Sequence, residues 1–397
     1  MKFKQIVVSF CLLMVSAPVM AQVEVDTNSL FAKAKLLVDK NVVHGVDTNY
    51  IKASEYPWQV SVRTKVTQTE LQIHSSIDGE SIYDGEFFDP TFKATGNLDT
   101  DPRFRTDVST SLGVKVGYKG ISASYSFNVS GLKGRNLTLR SVGNWYSLNL
   151  RWHKFKMDTP TTHFAGQMYV RDDKDSPWSE EALPWSFTGD IPLDAAMRIN
   201  TLMFDGFYIF NSKRFSYAAA YNQKTYQVRS AGSFIAGLTA YYADFNYRNS
   251  RNADFILMMD DISRLRQYQV SIGAGYAYNF VPAKGWLISA MFMPTISLLN
   301  RTKVNLCTTN AKEVDQRHAD DWADLDYADE YEVLSQSSHS RNNRVALNTA
   351  ARLSITYNWD RYFINANGQF NNYNFKHRAM HGHLNDWYIH ASFGVRL

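Results

Sequence analysis

Cysteine is nearly absent. Of two residues, Cys11 falls in an N-terminal apolar stretch and Cys307 stands alone in the remainder. Once that stretch is removed no intrachain disulfide can form, and a lone thiol reads as a packed side chain rather than a reactive one. Charge of one sign is lacking too. The formal net charge is +4, or +2 after loss of Lys2 and Lys4, and a balance so close to neutral gives no reason to expect nucleic acid as a partner. After residue 21 no apolar run reaches the roughly 20 residues that a membrane-spanning helix needs, and the mean hydropathy is −0.33. Phosphate-cradling glycine loops and metalloprotease motifs are missing. Prolines number only 10, against 23 Tyr and 24 Phe. A chain that is polar on average yet this aromatic has the profile of strands that show lipid on one side only.

The first residues read as an export leader. Lys2 and Lys4 give a positive start, Ile6 to Val15 are apolar, and Ser16 to Ala21 supply the small residues of a cleavage site, with the cut expected after Ala21. A retained anchor is disfavoured because the apolar part is short. No cysteine comes just after the site, so lipoprotein processing is not expected.

Period-two alternation dominates the rest of the chain. At the C-terminus Trp387, Ile389, Ala391, Phe393, Val395 and Leu397 alternate with Tyr388, His390, Ser392, Gly394 and Arg396, as successive strand side chains must when one face meets an apolar medium. The same pattern predicts strands at 58–73, 104–118, 121–130, 136–155, 196–210, 214–227, 233–247, 267–281, 286–300, 343–357, 361–375 and 386–397. Many exceed ten residues, enough to cross a bilayer at a tilt, whereas sandwich strands run to about half that. Aromatic residues crowd the strand ends, at Trp58, Tyr118, Trp152, Tyr247, Trp286, Tyr362 and Trp387, where interfacial girdles belong. The expectation is an all-β chain: a transmembrane antiparallel up-and-down β-barrel of about twelve strands. With both termini in the periplasm, the 156–195 connection falls on the wrong side for its length, and a further strand pair there, including His163 to Val170, would make fourteen. The domain division is then a signal peptide at 1–21, a periplasmic segment at 22–56 with a short helix or flexible stretch at 28–40, and the barrel at 57–397.

Several short motifs carry a resemblance: Asp47-Thr48-Asn49-Tyr50-Ile51, Gly117-Tyr118-Lys119-Gly120, Tyr208-Ile209-Phe210-Asn211 with Arg214-Phe215-Ser216-Tyr217, and Ser230-Ala231-Gly232-Ser233-Phe234. On these the mature chain resembles the domain of unknown function 4421 family, outer-membrane β-barrel proteins of the Bacteroidota. The family has no assigned activity, so the resemblance implies compartment and architecture and no functional residues.

Chemistry is sparse. A Ser–His pair in the wall would need a lipid-facing histidine, but alternation turns His390 inward and no His-x-Ser-Asn-Gly-like run occurs. The chain is expected not to be an enzyme and to need no cofactor. His377, His381, His383 and Asp386 have the residue types of a transition-metal site, although exposed loop histidines without such a role are commoner. In the 313–332 run nine carboxylates accompany a single Arg317, without the glycine turn or terminal glutamate of a calcium loop. The inward set of the barrel includes Arg63, Lys65, Arg105, Lys115, Arg151, Arg352 and Arg396, with Asp107 as the main opposing charge, so the lumen must be wet or neutralised. Loop 301–342 is long enough to fold back and pair its acids with these cations. Trp387, Phe393, Val395 and Leu397 are expected to form the signal read by the barrel insertion machinery. Outer-membrane lipid is the other expected partner. A channel or uptake barrel for small solutes is the favoured function, and a structural or surface-interaction barrel working through its long outer loops is the alternative.

Overall fold

A computed structural model describes residues 45–78, 92–105, 108–131, 134–172, 175–190, 193–249, 252, 255–256, 259, 262–311, 331–343, 345–377 and 380–397. Its strands, in chain order, are β1 (Ile51–Ala53), β2 (Trp58–Asp78), β3 (Phe92–Arg105), β4 (Ser109–Tyr118), β5 (Ile121–Ser130) and β6 (Arg135–Val142). Then come β7 (Tyr146–Met157), β8 (Thr161–Val170), β9 (Leu183–Asp190), β10 (Met197–Ile209), the helix α1 (Tyr217–Tyr221) and β11 (Thr225–Gln227). The chain ends with β12 (Ala231–Asn246), β13 (Ile262–Phe280), β14 (Trp286–Ala311), β15 (Tyr331–Asn342), β16 (Leu347–Trp359), β17 (Tyr362–His377) and β18 (Met380–Arg396).

Twelve of these strands close into one antiparallel barrel, in the order β2, β4, β5, β6, β7, β10, β12, β13, β14, β16, β17, β18. β18 returns to β2 from His381↔His74 down to Arg396↔Gln59, so no edge is left within the wall. Alternation sets the two faces. Along β18, Ile389 and Phe393 are more than half exposed on the outside, while Tyr388, His390, Ser392 and Arg396 are buried inside. At one end, the turn end, the strands join through tight connections such as Lys119-Gly120 and Asp360-Arg361, with Lys119 and Asp360 at φ 47. The other long connections leave from the opposite, loop end; the exception is 210–230 between β10 and β12, which leaves from the turn end.

The strand count of twelve agrees with expectation through two errors that cancel. The 136–155 run is not one strand but the hairpin β6–β7, turning at Gly143-Asn144-Trp145. The 214–227 run is not a wall strand at all. It holds α1 and β11, and β11 pairs with β1 as a separate two-stranded sheet. The extra hairpin also moves the 156–195 connection to the loop end with the other long loops. β8 does occupy Thr161–Val170, but it pairs with β9 and with β3, and β3 in turn with the upper part of β2, so the wall keeps twelve strands rather than fourteen. Asp107, Ala21, the 28–40 segment and residues 313–330 of the acidic run lie outside the described residues.

Candidate functional site

The segment between β10 and β12 turns into the lumen. Ser216 begins the turn: at φ −112° and ψ 106° it caps α1, its Oγ accepting from Ala219 N at 3.1 Å. Three alanines come next, small enough to let the helix lie against the wall, and Phe215 through Tyr221 are all buried. Gln223 ends the helix at φ 57°, the left-handed conformation that stops helices. The loose carbonyls of the last turn then need donors. Ala220 O accepts from Ser354 Oγ at 2.7 Å, Tyr221 O from Arg140 Nη1, Asn222 O from Gln59 Nε2 at 2.9 Å and Lys115 Nζ at 3.1 Å, and Gln223 O from Arg396 Nε at 2.8 Å. Wall cations thus sit against the negative end of a short helix. Lys224 reaches back to Tyr56 O at 3.1 Å, and burial, with Arg396 and Lys119 nearby, pulls its ammonium down to about 7.

Higher in the lumen the cations find carboxylates. Arg352 Nη2 lies 2.7 Å from Asp205 Oδ2 and Arg352 Nη1 donates to the Tyr217 hydroxyl. Arg151 pairs with Asp386, which also accepts from Thr69 Oγ1 at 3.0 Å. Lys65 Nζ stands 4.6 Å over the Tyr388 ring, and Arg63 donates to Ser124 Oγ at 3.1 Å. Toward the loop end inward side chains become apolar: Leu71, Phe104, Met157, Ile199, Phe245 and Leu265 belong to one buried cluster that fills the space. Between Leu71, Tyr241, Tyr373 and Leu384 the packing leaves no room to seat a water molecule.

Six of the seven cations read as inward, Arg63, Lys65, Lys115, Arg151, Arg352 and Arg396, stand in the lumen. Arg105 does not. Its side chain is 64% exposed on the outside, 4.0 Å from Glu70. The 104–118 run breaks between β3 and β4, so parity counted across the break fails. Asp386 is likewise misassigned as a metal ligand with the histidines: on β18 it faces inward, while His381 and His383 take the opposite, outward parity. Among the described residues no cluster has metal-site geometry; the His377 side chain lies outside the described ones. Of the C-terminal residues, Phe393 and Leu397 are exposed on the outside, Trp387 and Val395 are half-buried there, and Leu397 exchanges backbone hydrogen bonds with Trp58 at 2.8 and 2.9 Å. Asp205, Arg140 and Lys224 went unnoticed. Arg140 was hidden by the single parity imposed across 136–155, and Lys224 by the strand reading of 214–227. Asp205 was visible as the one acid in 196–210, a run apolar on both faces.

Residues 45–396 match the domain of unknown function DUF4421. The chain belongs to the DUF4421 family. Among solved structures it is similar to the outer membrane protease OmpT from Escherichia coli, with a TM-score of 0.38 and 8% identity over 86% of this chain and 96% of that one. It is also similar to the beta domain of the Bordetella autotransporter BrkA (TM-score 0.26, 7% identity, 86% and 100% covered). The TodX monoaromatic hydrocarbon channel gives a TM-score of 0.23 at 7% identity, covering 87% and 91%. At such identities the likeness is of architecture alone: an outer-membrane β-barrel. A comparison with curated proteins finds no match. One expectation is corrected. The reading that the chain is not an enzyme falls, because barrels similar to it include a protease; the fold by itself establishes no activity.

Proposed function

We propose that this DUF4421 protein is an outer-membrane barrel closed along its axis, working at its loop end as a surface-interaction platform rather than as a solute channel. The observation that carries the reading is the filled lumen. From Arg396 and α1 at the turn end, through the Asp205 and Asp386 ion pairs, to the apolar cluster under the loops, inward side chains are buried against one another. A conducting pore needs a continuous wet path. Export through a leader cut after Ala21 would put the termini and short turns in the periplasm and the β3–β8–β9 sheet outside the cell. There β9 offers an edge with no strand partner among the described residues, with Leu183 46% and Phe187 56% exposed, features suited to contact with another macromolecule. The test is conductance of refolded protein in a planar bilayer. The reading expects a silent membrane at all moderate voltages. Long-lived open steps from the intact chain would restore the uptake reading and overturn this one.

A further inference from the structure

The outer face of the wall changes character in register across five neighbouring strands near the loop end. Leu139, Leu150, Phe204, Ala240 and Val270 form a cross-strand apolar row on β6, β7, β10, β12 and β13. Two residues further up, Trp152 is followed across β10 by Tyr242 and Tyr268, whose rings lie 5.0 Å apart. Rings of this kind sit at the headgroup level of a bilayer. The next outward positions are cationic. Arg135 pairs across to Lys154, and one step higher Lys156 pairs across to Arg198. All four are exposed. Arg264 is neutralised by Asp244 at 2.6 Å, but none of the four has a carboxylate within ion-pair distance among the described residues, and Lys154 instead covers the Trp152 ring at 4.4 Å. Like charges directly opposite each other on adjacent strands repel, and here two such pairs are stacked about 7 Å apart along the strands. An anion between them would relieve both.

We propose that this patch binds the phosphate of a lipid in the leaflet at the loop end, with the lipid's acyl chains lying along the partly exposed Leu202, Phe204 and Ala240, of which Leu202 and Phe204 pack on the buried Leu139 and Leu150 of the same face. A lipid fits better than free phosphate because the cations continue the lipid-facing parity of the wall rather than lining a cavity. Arginine and lysine together suit a phosphate held from two sides, and juxtamembrane cations are a general means of holding anionic headgroups.

The experiment uses the full chain refolded in detergent micelles, with phosphorylated lipid A, its dephosphorylated counterpart and inorganic phosphate as probes, read by native mass spectrometry. The phosphorylated lipid should bind at least about tenfold tighter than the dephosphorylated one. That preference should vanish in Arg135→Gln/Lys154→Gln/Lys156→Gln/Arg198→Gln and persist in Lys52→Gln/Lys284→Gln, which removes cations at the turn end. The two pair variants, Arg135→Gln/Lys154→Gln and Lys156→Gln/Arg198→Gln, keep the test open if the fourfold variant does not fold. No preference in the intact chain, or an unchanged preference in the variants, overturns the proposal. Displacement of the lipid by millimolar inorganic phosphate would reassign the patch to a free anion and overturn the lipid.

Discussion

Asp205 is the residue on which removal of one atom group should be felt most. It is 1% exposed, accepts from Arg352 at 2.7 Å and Asn149 at 3.2 Å, and faces a guanidinium whose other arm holds the Tyr217 hydroxyl of the luminal helix. In Asp205→Ala the Arg352 charge remains where water cannot reach it, against the Phe207 ring at 4.6 Å. With charge centres about 4 Å apart and an effective dielectric near 20, the lost attraction is about 4 kcal/mol, in line with the ~3–5 kcal/mol seen when one member of a buried pair is deleted. That is a large part of the ~5–15 kcal/mol that usually separates folded from unfolded chains. Removing both charges is a different perturbation. In Asp205→Ala/Arg352→Met no buried charge is left and methionine restores volume, so the cost should fall to about 1–2 kcal/mol. Urea titration of the protein in phospholipid vesicles, followed by tryptophan fluorescence, measures the two single variants and the double one as a cycle. A single-variant loss below about 1 kcal/mol, or strict additivity of the two substitutions, would refute the view that this ion pair anchors the helix inside the barrel.

Deleting residues 217–227 should convert a silent barrel into a conducting one, and with cations in excess over Asp205 and Asp386 on the wall the reversal potential should show anion preference; a deletion that stays silent would mean that the apolar cluster at the loop end closes the barrel alone. Removing residues 393–397 deletes the last pairs of β18 with β2, from Phe393↔Val62 to Arg396↔Gln59, so the truncated chain should be missing from membrane fractions, and normal levels there would dismiss the C-terminal residues as an assembly signal. Lys224, with its ammonium drawn down to about 7 from 10.5, binds fewer protons folded than unfolded between those values, so stability should rise as pH climbs from 7 toward 10, by about 1.4 kcal/mol per unit at most; Lys224→Met should flatten that slope relative to the parent, and equal slopes would disprove the assignment.

The wall was legible because membrane strands obey one rule over many residues. From Ile364 to Phe370 in β17 and from Trp387 to Phe393 in β18 the outward positions are apolar or glycine and the inward ones are Asn, Gln, Tyr, His or Ser, and no competing periodicity interferes there. Trouble came wherever both faces of a segment are buried. Tyr217, Ala218, Ala219, Ala220 and Tyr221 pack inside a closed barrel, so polar and apolar residues no longer mark two sides, and a short stretch containing Tyr and Phe reads as a strand. The turn at Gly143 escaped for a related reason. Val142 before it is 0% exposed and Tyr146 after it half-buried, which lets an apolar rhythm run straight through a change of direction.

The lumen was less legible than the wall, since alternation says which way a side chain points and not what it meets. It could place Lys115 and Arg396 inside, but Lys115 meets the Asn222 carbonyl and Gln223 Oε1, and Arg396 the Gln223 carbonyl, the Tyr226 hydroxyl and Asn358 Oδ1, and uncharged acceptors of this kind do not stand out in a sequence. That is also why the search for opposing charge went to the acidic 313–332 run, where carboxylates are plentiful, instead of to a five-residue helix with none. The consequence bears on how the barrel closes. A plug held by acidic side chains would loosen as salt screens them. One held by buried carbonyls, and by an Asp205–Arg352 pair whose carboxylate is 1% exposed, is shielded from salt, so the closed state should persist at high ionic strength and yield to loss of the segment itself.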